Sequence, residues 1–275
     1  MRRLSPGLLV GFAVAASALA TAASAADLPA PDGPAYYPPA YRPVIYDWTG
    51  IYGGAHLGAG ALDDQVTTMS TTLLQPSGTV TKLSPFSVVS GAQAGFNIEF
   101  APFVVGAEGT FTWSNISGTQ VTPSLLPAIS EDSTSRPRWY ATATGKVGFA
   151  ANDFLFYAKG GAAWMNVHYI QDVAIGGGQS SQTIVDTRSG FTVGGGIEFG
   201  MTENLSARVE YDFLDFGTKN YNFTTLGFVP AGSAAGTPLT PIGPFPVSIK
   251  SFTQLITVGL NYRFNWAGGG AVVTK

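Results

Sequence analysis

Asn204-Leu205-Ser206-Ala207-Arg208-Val209-Glu210-Tyr211-Asp212-Phe213 is the stretch that decides the fold. Successive side chains of an extended chain point to opposite sides. Leu205, Ala207, Val209, Tyr211 and Phe213 therefore share one face, and Ser206, Arg208, Glu210 and Asp212 share the other. The segment from Ser251 to Phe264 repeats the arrangement, with Phe252, Ile256, Val258, Leu260, Tyr262 and Phe264 opposing Ser251, Thr253, Thr257, Asn261 and Arg263. Earlier segments follow the same period of two: Phe191, Val193, Ile197 and Phe199 oppose Arg188, Thr192 and Glu198, and Trp139, Ala141, Ala143, Val147 and Phe149 oppose Arg138, Thr142, Thr144 and Lys146. Phe103, Val105, Ala107, Phe111 and Trp113 oppose Glu108, Thr110, Thr112 and Ser114, preceded by a segment in which Ala92, Ala94, Phe96, Ile98 and Phe100 oppose Gln93, Asn97 and Glu99. Glycine dilutes two further segments, Trp48 to Gly60 and Phe154 to Tyr169. The count is eight strands.

Composition says what lies on the apolar side. Only 11% of residues are charged, against about 25% in a typical soluble protein, and the mean hydropathy is positive. Met1-Arg2-Arg3, the apolar run Leu8 to Ala22 and Ala23-Ser24-Ala25 have the order of a secretory signal peptide, with cleavage expected after Ala25. Beyond it no stretch is apolar for long enough to span a bilayer as a helix, so a crossing must be made by strands closed into a barrel. A charge facing hydrocarbon near the midplane costs a few kcal/mol, so the charged faces must look into a lumen. A soluble lipocalin-like barrel is the inverse alternative, with its apolar face inside.

The connections fit an all-β, eight-stranded antiparallel transmembrane barrel with short periplasmic turns and long extracellular loops. Ala101-Pro102, Ala151-Asn152-Asp153 and Met201-Thr202-Glu203-Asn204 are short and rich in turn residues. The stretches Ala61 to Pro85, Gly118 to Arg136, Val173 to Thr183 and Gly217 to Ile249 are longer and polar, as outer loops are. Trp48, Tyr52, Phe100, Phe103, Phe149, Phe154, Phe199 and Phe264 fall near the periplasmic ends, where a headgroup girdle is expected; Trp113, Trp139 and Trp164 mark the outer boundary. Residues 26–47, rich in Pro, Ala and Tyr, are expected to form an extended periplasmic linker that could touch peptidoglycan; 48–264 form the barrel and 265–275 a tail. Glycine runs such as Gly194-Gly195-Gly196 suit a narrow, curved wall.

Asp47-Trp48-Thr49-Gly50-Ile51-Tyr52-Gly53-Gly54, the closing Val258-Gly259-Leu260-Asn261-Tyr262-Arg263-Phe264 and the start Ala26-Asp27-Leu28-Pro29 resemble the small outer-membrane immunogenic, porin-like β-barrel family. The resemblance implies an eight-stranded barrel and the role of a surface antigen and envelope component. Its partners would be outer-membrane lipid, lipopolysaccharide and the barrel assembly machinery. Members commonly end at the final Phe, whereas Asn265 to Lys275 follow here, so internal recognition at Tyr262-Arg263-Phe264 is expected.

Little in the chain points to chemistry. There are no cysteines and only His56 and His168, and no sequence spacing links either to a nucleophile or to a metal-ligand set. No catalytic residue, metal or cofactor is therefore expected; a haem- or lipid-handling surface protein is the further alternative, with a histidine in the outer region as the haem's axial ligand. The net charge of −3 and the lack of a basic stripe argue against nucleic acid. The informative polar set is the lumen charges: Glu108, Arg138, Lys146, Lys159, Arg188, Glu198, Arg208, Glu210, Asp212 and Arg263. The interior of an eight-stranded barrel is just wide enough for side chains to fill. Paired charges would close it. The competing reading is a narrow selective channel lined by the same groups.

Overall fold

A computed structural model describes residues 46–69, 77–123, 129–175, 178–226 and 241–264; the expected signal peptide, almost all of the linker and the tail lie outside them. The strands are β1 (Gly50–Thr68), β2 (Val80–Leu83), β3 (Phe86–Phe100), β4 (Phe103–Ser114), β5 (Gly118–Pro123), β6 (Ile129–Ala151), β7 (Phe154–Ile175), β8 (Gly178–Gly200), β9 (Leu205–Leu226) and β10 (Pro241–Phe264). Eight of them pair antiparallel in the order β1-β3-β4-β6-β7-β8-β9-β10, and β10 pairs back onto β1 from Ile51↔Phe264 to Thr68↔Val247, closing the ring. Closure leaves no lipid-facing edge at membrane depth, as hydrocarbon requires. The short strands β2 and β5 pair with the upper parts of β1 and β6.

At the level predicted to cross the bilayer, Phe96, Val105, Val147, Phe191, Val209 and Val258 are exposed on the outer wall. A soluble barrel would bury such residues inside, so this wall faces lipid. From Phe103 to Trp113 is ten residues of rise, roughly 24 Å at a 45° tilt, the height of a membrane barrel's apolar band. Trp113 and Trp139 are register partners and Trp164 pairs with Ala141, so the three tryptophans share the outer boundary.

Two expectations need correcting. Trp48 and Tyr52 are not in the girdle: both are buried, Trp48 with Tyr46, Val104, Leu155 and Tyr157 at the periplasmic mouth. And most of the predicted outer loops are strand, since β7, β8, β9 and β10 run well past the tryptophan level. Above it the hydrophobic phase inverts without a break in the chain. Met165, Val167, Tyr169, Leu214 and Phe216 point inward into an apolar cluster with Ile249 and Leu255, while Asn166, His168 and Thr187 face out. With no hydrocarbon outside, the outer face is free to be polar and the inner face supplies the core.

The wall is not uniformly laddered. β8 and β9 pair only from Phe191↔Asp215 to Gly200↔Ser206, whereas β8 stays paired with β7 throughout and β9 with β10. Where β9 leaves β8, Gly217 adopts a positive φ of 64°, a left-handed conformation natural to glycine. Side chains bridge the seam: Lys219 Nζ and the Tyr221 hydroxyl donate to Asp186, and the Thr224 N–H donates to Gln182 Oε1 at 2.7 Å.

Candidate functional site: the lumen charge layer

Inward positions are fixed by strand register, and the residues opposite the large inward side chains are repeatedly glycine. Tyr52 and Glu108 both flank Gly95, Tyr157 and Glu210 both flank Gly196, Asp212 faces Gly194, and His56 faces Gly91. A Cβ at Gly95 would lie 2.6 Å from the Tyr52 oxygen, and one at Gly196 would lie 2.7 Å from that of Tyr157. The glycines are thus the space into which the lumen's large polar side chains fold.

Seven of the ten predicted charges meet in one layer. Arg208 bonds Glu108 and lies 3.5 Å from Glu210; Lys159 reaches Glu210 at 2.7 Å, Asp212 at 3.2 Å and Glu108 at 3.4 Å; Lys146 lies 3.8 Å from Glu198. Their side chains are between 0% and 10% exposed. Neutral groups complete the shell. The Tyr52 hydroxyl donates to Glu108 at 2.8 Å, that of Tyr157 to Glu210 at 2.6 Å, and the Asn261 amide to Glu198 at 2.7 Å. Lys146 and Lys159 are direct register partners, an unfavourable juxtaposition for like charges. Lys146 is relieved by Glu198 and by the faces of Tyr52 and Tyr157, each 4.8 Å from its ammonium. Neither tyrosine is evident from the charge pattern. The signal that could have found Tyr157 is its position two residues from Lys159 on the same strand; what Tyr52 shares with it is only a glycine opposite, Gly95 as Gly196 is to Tyr157.

The other three predicted residues sit elsewhere. Arg188 is inward and buried but one level higher, donating to Tyr169, Ser251 and the backbone oxygens of Phe216, Gly217 and Ile249, at the point where the β8–β9 ladder fails. Arg138 does not face the lumen. A bulge between Pro137 and Trp139 interrupts the β6–β7 register and leaves Arg138 exposed on the outside. Arg263 is at the periplasmic mouth, bonded to Asp47 at 3.2 Å and to the backbone oxygens of Thr49 and Glu203. It lies over the Tyr46 ring and so fastens the 46–49 segment beneath the barrel.

His56 has partners that sequence spacing could not reveal, because they come from neighbouring strands: Nδ1 meets Gln93 Oε1 at 2.7 Å and Nε2 meets Thr112 Oγ1 at 3.0 Å. His168 faces outward above the tryptophan level. At the seam, partial burial opposes ionisation of Asp186, but hydrogen bonds from Lys219 and Tyr221 prevail and hold its carboxyl below the usual aspartate range.

A closed eight-stranded ring with a lipid-facing apolar wall and a polar interior is an outer-membrane β-barrel. The chain belongs to the family described as outer membrane protein beta-barrel domain, which it matches over residues 11–229. It is 26% identical over 223 residues to the 25 kDa outer-membrane immunogenic protein of Brucella abortus, covering 80% of each chain. It is 33% identical over 90 residues to the 22 kDa outer membrane protein of Rhizobium leguminosarum, covering 33% of this chain and 39% of the relative. Among solved structures, the outer membrane protease OmpT from Escherichia coli is similar with a TM-score of 0.49 at 9% identity, over 78% of this chain and 97% of that one.

Proposed function

We propose that this protein is a structural surface barrel of the outer membrane, contributing to envelope integrity and presenting its outer end as an antigen, with a lumen that its own side chains close. The observation that carries this reading is the layering of the interior. A buried layer of three cations and four carboxylates lies between an apolar cluster at the periplasmic mouth and a larger apolar cluster above. An ion crossing it would have to part paired charges and pass two apolar clusters, each step costing on the order of several kcal/mol. The Brucella relative is named as immunogenic, and that role is carried to this chain as part of the proposal.

The same packing supports a non-enzymatic role. Thr112, His56 and Gln93 follow the order of nucleophile, base and orienting group, but all three are at most 7% exposed. The void beside them is about 10 Å³, room for a single water. A substrate carbonyl has no place to sit.

Proteoliposome swelling tests the closed lumen. Vesicles carrying the refolded chain should swell in small sugars and amino acids no faster than empty vesicles. Swelling that scales with protein content and falls with solute size would establish the low-conductance porin instead.

A further inference from the structure

The bulge that removes Arg138 from the lumen places it where a membrane protein has use for a cation. Arg138 and Trp139 are consecutive outward residues, so the guanidinium emerges immediately above the ring that marks the outer boundary. Arg136, also exposed, lies on the same strand and is the register partner of outward-facing His168 on β7. Neither arginine is paired with a carboxylate among the described residues. Ser117 accepts the Arg136 Nε–H at 3.0 Å, which orients that guanidinium from behind. Hydrogen-bonding groups continue the patch, with the Asn166 amide donating to Thr187 at 3.2 Å. Among the described side chains, the outward carboxylates on these strands, Asp132 and Asp172, are opposed to one another four residues beyond His168, about 13 Å further along the strands. That separation exceeds the screening length at physiological salt.

We propose that Arg136 and Arg138, with His168 beside them, bind a phosphate group of an outer-leaflet glycolipid whose acyl chains lie along the Trp113–Trp139–Trp164 wall. Two features support a lipid over a dissolved anion. The tryptophans fix the arginines at headgroup depth, where Trp and Tyr characteristically mark the interface. And the outer wall directly below them, with Phe111 packed against both Trp113 and Trp139 at 5.0 and 5.5 Å between ring centres, offers acyl chains a continuous apolar surface. Arginine is suited to the head because its planar fork grips phosphate oxygens in pairs. The bulge serves this purpose economically: a regular strand would alternate Arg138 into the lumen.

This inference rests on the outer-membrane location and not on the closed lumen, so a conducting barrel would leave it standing. The full chain, refolded in detergent, is titrated with bisphosphorylated lipid A, with the same lipid after phosphate removal, and with phosphatidylcholine, and bound lipid is counted by native mass spectrometry. Bisphosphorylated lipid should be favoured about tenfold over its dephosphorylated form, and the preference should collapse in Arg136→Ala/Arg138→Ala while persisting in Lys82→Ala. Arg136→Lys/Arg138→Lys, which keeps charge but loses the fork, should fall between. Heat-modifiable gel mobility confirms that each variant is folded. An undiminished preference in the alanine variant, a preference indifferent to the phosphates, or full displacement of lipid by millimolar inorganic phosphate would each overturn the assignment.

Discussion

The guanidinium of Arg208 bonds the carboxylate of Glu108 across the full diameter of the barrel: β9 and β4 are four strands apart in either direction round the ring. This contact therefore braces the cylinder from inside, unlike the ladder bonds, which join only neighbours. Arg208→Ala leaves Glu108 and Glu210 facing one less cation in a desolvated layer, and a loss of about 3–5 kcal/mol is expected. The double variant Arg208→Met/Glu108→Leu should recover much of it. Urea unfolding in lipid vesicles, followed by gel mobility, supplies the double-mutant cycle. Additive losses would show that the two residues do not act as a pair.

The glycines opposite inward side chains should be intolerant in a position-specific way. Gly196→Ala forces a methyl against the Tyr157 hydroxyl and the Val209 carbonyl oxygen, 2.7 and 2.5 Å from the added carbon, and should cost about 1–3 kcal/mol. Gly145, with nothing within 4 Å of an added Cβ, is the control; Gly145→Ala should stay within about 0.5 kcal/mol of the parent. Equal losses at both sites in the same urea assay would remove the space-filling account of the glycine runs.

The Tyr46–Thr49 segment should act as a stopper at the periplasmic mouth, since Trp48 is only 2% exposed among Val104, Leu155 and Tyr157. The chain has no cysteine, so Leu155→Cys introduces a unique thiol at a fully buried position. A water-soluble maleimide should leave it unmodified in the parent background and label it readily when Trp48→Ala is added. Rapid labelling with Trp48 intact would mean that the mouth is open.

The bridge at the β8–β9 seam gives a pH signature. The Asp186 carboxyl titrates below its usual range in the folded chain, so its bridge to Lys219 contributes fully above the unfolded value and is lost as pH falls through the folded one. Both partners are partly exposed, so Asp186→Asn should cost no more than about 1 kcal/mol near neutral pH. That difference should vanish at acid pH. A difference that instead grew on acidification would reverse the sign and the assignment.

The membrane-spanning part of the fold was legible because bilayer and lumen impose opposite demands on alternate residues. Leu205 to Phe213 could hardly be read another way. Legibility ended where the demands changed: at Leu214 and Phe216 the apolar residues move to the inward positions, and a reader following one apolar face sees the strand stop. Arg138 was misplaced for a related reason, since one bulged residue shifts the parity of everything beyond it. Which charges meet was not legible at all. Alternation places a side chain inside without saying at what height, and only the stagger between strands sets Lys159 against Glu210 while sending Arg188 a level higher. Trp48 lacked a signal of its own, because a tryptophan just before a strand fits a headgroup girdle as well as a stopper.

Single-channel recording of the refolded chain in a planar bilayer tests the closed lumen most directly. Folded protein, verified by heat-modifiable mobility, is expected to give no steps above the lipid background, and Trp48→Ala alone should stay silent because the charge layer and the upper apolar cluster remain. Stable steps from the parent chain, changed in size or ion preference by Arg208→Ala, would contradict the account and make the charge layer the lining of a pore.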